Sequence, residues 1–194
     1  MLNHQYFQQL TQDREDSLRL LNKPSMRGIR AGIVEKYSEK AHFVYELLQN
    51  ADDAGASEVR FSLRKIGLYF IHNGTTRFTV TDPNDTQNVG HINAITAIGD
   101  STKNPQTMTS SSPIGEVGRG IGKFGIGFKA VFQYTNTPHI YDPNVSFKIR
   151  DLIVPILLEQ EPHPLRKADE TLFYFPFDRL EKRLLMHSKK SKTS

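Results

Sequence analysis

Apolar residues recur among polar ones at Phe7, Leu10, Leu18, Leu20 and Leu21, which predicts a helix over 5–22 ending near Asn22-Lys23-Pro24. A second short helix is expected over Gly28 to Tyr37. Ser38 then offers an N-cap ahead of Ala41, Phe43, Val44, Leu47, Leu48, Ala51 and Ala54, with Gly55 as the stop. Val59-Arg-Phe-Ser-Leu63 alternates, and Gly67-Leu-Tyr-Phe-Ile71 is a continuous apolar run closed by His72-Asn73-Gly74. These read as two adjacent antiparallel strands. Ile92, Ile95 and Ile98 predict a helix over 89–98. From Asp100 to Gly120 apolar periodicity is almost absent, as in a functional or disordered loop. Beyond it a helix is expected over 125–134, strands near 138–141, 145–150 and 171–177, and a last helix near 178–187. Helices that precede, interrupt and face a mixed, mostly antiparallel sheet make an α/β two-layer sandwich.

The 194 residues suit one domain with appendages: an N-terminal helical extension over 1–27, a core over 28–178, and a basic tail over 179–194. With 37% hydrophobic and 24% charged residues the chain has an ordinary globular composition. No apolar run reaches the roughly 20 residues of a membrane span, and Met1-Leu-Asn-His-Gln-Tyr6 does not read as a signal peptide. The absence of cysteine removes disulfides and thiol chemistry and fits a reducing cytoplasm. Part of the net charge of +4 lies in the terminal Arg179, Lys182, Arg183, Lys189, Lys190 and Lys192. That end is either a nucleic-acid contact or a frayed terminus.

Six of the 13 glycines fall between Gly115 and Gly127, directly before the apolar Phe128-Lys-Ala-Val-Phe-Gln-Tyr134. Glycine lets backbone N–H groups turn toward an anion, and a helix start adds unpaired N–H groups and a positive dipole end. The combination is a phosphate cradle. Gly120, Gly122 and Gly125 match the dinucleotide pattern G-x-G-x-x-G, with Asp142 downstream as the apparent ribose acid. That fingerprint needs a buried strand before it, and Thr109-Ser-Ser-Ser-Pro113 is not one. A P-loop is excluded because Phe124, not Ser or Thr, follows Lys123. A purely structural glycine loop remains open.

Glu46, Asn50 and Asp53 are spaced i, i+4, i+7 and share one helix face beside Phe43, Leu47 and Ala51. This is either a solvated face or a site in which Asn50 holds magnesium and Glu46 activates water at a phosphate.

Glu46-Leu-Leu-Gln-Asn50-Ala-Asp-Asp53-Ala-Gly-Ala56 resembles the first nucleotide-binding box of the GHKL superfamily of ATPases. That group includes the ninety-kilodalton heat-shock chaperones, DNA gyrase B, the MutL repair proteins and the histidine kinases. Ile121 to Phe132 resembles the glycine box of the chaperone branch, and Thr171-Leu-Phe-Tyr-Phe-Pro176 its final strand. Tyr37-Ser38-Glu39 ahead of the first box is similar to the sacsin-like branch.

The resemblance implies a Bergerat ATP-binding fold with a lid near 100–120. It assigns Glu46 as the base that orients water, Asn50 as magnesium ligand, and Asp53 to the adenine side. Ser101, Thr102 and Lys103 would open the lid. Arg119, Gly120, Gly122, Lys123, Phe124, Gly125, Ile126, Gly127 and Phe128 would cradle the phosphates. Thr171 would reach adenine through water. The adenine-reading Asp-x-Gly is replaced by His72-Asn73-Gly74, where a neutral imidazole nitrogen is expected to accept from the adenine amino group, with Asp53 or Asp82 as substitutes. The implied activity is magnesium-dependent binding and slow hydrolysis of ATP, with ATP or ADP preferred to GTP. It would drive downstream domains or a client in chaperone-like or defence work, with a possible nucleotide-dependent homodimer. No membrane partner is expected, and nucleic acid only through other domains or the basic tail. A nucleotide-sensing module without hydrolysis is the alternative.

Overall fold

The computed structural model describes residues 2–26, Gly28, 43–97 and 128–179. Helix α1, His4–Leu21, starts on Asn3, whose side chain accepts from the amides of Gln5 and Tyr6. A short 3-10 turn, Pro24–Met26, follows it. Helix α2 is described over Phe43–Asp53. Strands β1, Val59–Arg64, and β2, Gly67–His72, form the expected antiparallel pair. Helix α3, His91–Thr96, is shorter than its isoleucine spacing suggested, and Ile98 lies outside the described residues. A 3-10 helix, Phe128–Gln133, then leads to β3, His139–Tyr141, β4, Ser146–Arg150, β5, Val154–Leu157, and β6, Thr171–Pro176.

The six strands form one open sheet in the order β1-β2-β6-β3-β4-β5. Every described pairing is antiparallel, so the sheet is not mixed. The last strand in sequence thus lies in the middle, between β2 and β3. One face carries Phe70, Ile140, Phe147, Phe173 and Phe175, which share a core with Leu47 and Ala51 of α2 and Phe128 and Val131 of the 3-10 helix. Phe7 and Leu10 of α1 enter the same core, Phe7 meeting Phe147 edge-on at 6.4 Å. Helix α1 is tied further by Thr11, whose hydroxyl donates to the carbonyl of Pro155 at 3.0 Å. The opposite face holds a smaller cluster around Tyr69, Ile71 and Leu172, which Tyr141, Leu165 and Tyr174 cover.

Two features depart from the expected elements for visible reasons. The 128–133 segment is 3-10 rather than α, and Phe128 through Phe132 are all buried, so it has no solvent face. Strand β5 contains Pro155, which forfeits one donor, and it survives because it is the sheet edge. The reversal into it uses Asp151 and Leu152 at φ of 52° and 76°, a turn with no glycine to announce it. Asp178 and Arg179 are irregular, and the rest of the expected last helix lies outside the described residues, as do 29–42. Among the described residues no helix is long and apolar enough to cross a membrane.

Two imidazoles are held in the sheet, His72 at the end of β2 and His139 at the start of β3. Burial, helped by Arg77 for the first and Lys148 for the second, lowers each to about 4 from 6.5. Each stays neutral in the folded chain at pH values where the unfolded imidazole is already protonated. Stability present above pH 6.5 is therefore lost as pH falls toward 4, His72 alone contributing on the order of 3 kcal/mol. Unfolding followed against pH should show this fall, and His139→Asn should remove part of it. Gly67 sits where β2 crosses β6, and a Cβ there would stand 2.5 Å from the carbonyl oxygen of Phe175 and 2.6 Å from the Tyr174 ring. Gly67→Ala should cost about 1–3 kcal/mol in denaturant unfolding, because the nearest obstacle is backbone.

Candidate functional site

The C-terminus of α2 and the turn after β2 build the site. The helix ends in a Schellman cap: Gly55 takes φ 75°, its amide donates to Asp52, and the amide of Ala56 reaches back to Ala51 at 2.9 Å. The carbonyl of Ala54 accepts from Thr75 at 2.9 Å and Thr76 at 3.2 Å, so the helix end is bound to the 72–76 turn. Gly74 makes this fit possible. A Cβ on it would come within 2.9 Å of Ala54 Cβ, Ala54 O and His72 Nδ1.

The face shared by Glu46, Asn50 and Asp53 is graded in burial. Glu46 is half-buried, Asn50 is 3% exposed, and Asp53 is exposed. The Nδ2 of Asn50 is enclosed without a hydrogen-bond partner among the described residues. A buried amide left open in this way costs stability unless something supplies its partner. Turned over, the same amide would offer its oxygen to a cation. Among the described residues no three His, Asp or Glu side chains gather as metal ligands. The donor set here thus suits magnesium held by one amide oxygen, phosphate oxygens and water, and not a protein cage.

One turn beyond Asn50 lie Ala54, Gly74 and His72, and from His72 a polar row runs across the sheet. His72 pairs with Thr171 in the β2–β6 register, and Asp142 continues the row where β3 ends beside β6. All three are buried, His72 at 4% and the other two fully. The Thr171 hydroxyl donates to Asp142 Oδ2 at 2.8 Å, and the Asn144 amide donates to Asp142 Oδ1 at 2.9 Å. Burial raises the Asp142 carboxyl, opposed by these bonds and by Arg77. His72 Nδ1 accepts from the Gly74 amide at 3.1 Å.

Asn73, between His72 and Gly74, turns away. Its Oδ1 accepts from the amides of Ser57 and Glu58, and its Nδ2 donates to Ser57 Oγ, clamping the turn into β1. Arg77 donates to the carbonyl of Gly74 at 2.8 Å and acts electrostatically on both His72 and Asp142. Arg77 and the placement of Asp142 escape sequence reasoning. Arg77 lies in a polar stretch without periodicity, and Asp142 is conspicuous only as the false ribose acid of the dinucleotide pattern.

Of the expected site residues, Asn50, Gly74, His72 and Thr171 therefore lie on one side of the sheet, around the C-terminus of α2 and the adjoining strand ends, whereas Glu46 stands in the first turn of that helix. Asp53 lies at the exposed rim, and Asp82 accepts from its own loop at the Asn84 amide. Phe128 is an anchor: its ring packs on Phe173 at 6.1 Å and Phe175 at 6.2 Å. The end of the glycine-rich stretch thus meets the same face of β6 as α2, whose Phe43 also meets Phe175 at 6.3 Å. Ser101, Thr102, Lys103, Arg119, Gly120, Gly122, Lys123, Phe124, Gly125, Ile126 and Gly127 lie outside the described residues, as does the expected lid. A groove near Phe43, Leu63, Leu68 and Tyr134 is lined almost wholly by apolar atoms, with tyrosine the one residue in its lining that carries a polar group.

Comparison with known proteins supports the sacsin-like branch of the resemblance. The chain is 33% identical over 119 residues to Protein NO VEIN of Arabidopsis thaliana, covering 59% of this chain and 4% of that protein. It is 29% identical over 154 residues to human Sacsin, covering 67% of this chain and 3% of that protein. It therefore spans only a few per cent of the length of these curated relatives. No solved structure matches it. Residues 23–151 match the family model of the Sacsin domain, from ahead of α2 to the end of β4, and the chain belongs to that family.

Proposed function

We propose that this domain binds a magnesium–nucleoside triphosphate, ATP in the first place, hydrolyses it slowly, and uses the bound state as a switch for further domains. The observation that carries the reading is Asn50, a buried amide with an unpartnered nitrogen, set between a half-buried Glu46 one turn earlier and the polar row at His72. A solvated helix face would not bury its central amide and leave it open. The Glu46–Asp53 box, the glycine-rich stretch and the Thr171 strand stand in the order that the GHKL ATPases show, which supports the Bergerat form of this α/β fold.

In this reading Asn50 is the residue that would hold magnesium. The ion, when bound, neutralises charge on the triphosphate. Glu46 orients a water toward the γ-phosphate and takes up its proton. The backbone amides of 119–128 hold the phosphates, and Lys103 adds a charge at the opening of the lid. The last cation of the chaperone branch comes from a following domain or partner, so this chain should bind better than it turns over. The output would be closure of 100–120 over the nucleotide, with ATP and ADP distinguished by that closure. A downstream domain, a client or a second copy of the chain would read it.

Titration of ATP by calorimetry with and without magnesium tests the site. Binding should require magnesium, and Asn50→Ala should abolish that requirement together with at least about tenfold in affinity. Equal binding with and without the ion in the parent chain would remove magnesium from the assignment. Hydrolysis is tested separately by Glu46→Ala. Phosphate release should fall by about a hundredfold or more while the Kd for ATP stays within about twofold. An unchanged trace rate would instead mark a sensor that works by binding alone.

A further inference from the structure

We infer that His72 presents a hydrogen-bond donor to the base, so that the pocket reads a purine through a ring acceptor and not through its exocyclic amino group. The inference rests on the nucleotide reading above and concerns the same site. A neutral imidazole has one N–H and one lone pair. The lone pair at Nδ1 is already engaged by the buried Gly74 amide at 3.1 Å, so the proton resides on Nε2. Among the described residues Nε2 makes no hydrogen bond. Reversing the ring would set a carbon against the Gly74 N–H and leave that buried donor unpaired, at the cost of a lost hydrogen bond. Protonating the ring would set two donors against each other, and burial and the nearby Arg77 both oppose it, with only Glu170 acting the other way. In each state that keeps the Gly74 contact, the free nitrogen donates.

Among the described residues no neighbour hydrogen-bonds the free nitrogen of His72, and Glu170, the carboxylate that acts on it electrostatically, accepts instead from Arg60 and the Lys167 amide. Asp142 is fully enclosed and already accepts from Thr171 and the Asn144 amide. Thr171 is fully enclosed too, with its proton given to Asp142. The amide of Asn73 is spent on Ser57 and Glu58. Asp53 lies at the exposed rim, and Asp82 is occupied by its own turn. An adenine amino group directed at His72 would place donor against donor. The ring nitrogen beside that amino group, N1, is an acceptor that satisfies Nε2–H.

The test compares ATP, purine riboside 5′-triphosphate, which lacks the amino group, and 1-deaza-ATP, which lacks the ring acceptor, by magnesium-containing calorimetry on the 194-residue chain. Purine riboside triphosphate should bind within about threefold of ATP, and 1-deaza-ATP at least about tenfold more weakly. In His72→Asp, which restores a carboxylate acceptor, the order should invert, with purine riboside triphosphate about tenfold below ATP. The comparison in the parent chain stands without the variant. A tenfold loss on removing the amino group from the parent's ligand would overturn the inference while leaving the ATP site intact. Failure of ATP itself to bind would overturn the nucleotide reading and this inference with it.

Discussion

The end of α2 is held against the turn after β2 by the Ala54 carbonyl, and the rest of the site depends on that contact. It accepts two amides from Thr75 and Thr76, and it tolerates the approach only because residue 74 has no side chain. The same turn directs Asn73 toward Ser57 and His72 toward the core, so one junction fixes the path into β1 and the orientation of the imidazole. Asn50 stands one helical turn away. Its distance from the polar row is therefore set by backbone hydrogen bonds and not by mobile side chains, as a ligand site of fixed geometry requires.

Much of the fold is legible along the chain because it is local. The alternation in 59–64 and the apolar run in 67–72 pair across a tight turn, and α1 and α2 end at Asn22 and Gly55 through ordinary capping chemistry. What escapes is long-range or contrary to rule. Nothing near 171–176 indicates that this strand enters between β2 and β3. Pro155 hides an edge strand, and Leu152 makes a left-handed turn with a branched side chain that normally avoids it. At the site, the i, i+4, i+7 spacing places Glu46, Asn50 and Asp53 on one face but cannot assign their burial, which tertiary packing decides. Asp142 joins Thr171 through the β3–β6 pairing, an event of tertiary structure that no motif marks.

The two halves of the site differ in construction. The end proposed for the base is made of residues 54, 72–77, 142 and 171, enclosed or hydrogen-bonded within the sheet and its first turns. Such a frame cannot adapt to a ligand cheaply, since moving any member uncovers a buried polar group. On the proposed reading, selectivity for a base would be written in fixed donors and acceptors, and an imidazole in place of a carboxylate at position 72 would change what is read. The elements assigned to the phosphates in the proposal are attached to that frame by apolar side chains, Phe43 and Phe128 both resting on Phe175. Apolar contacts are non-directional and permit small rotations without leaving a polar group unpaired. A ligand gripped at both ends would thus meet a rigid reader of the base and a yielding mount for the phosphate contacts. Strain from binding or release would pass to the apolar mount of α2 and the 3-10 helix, and not into the sheet.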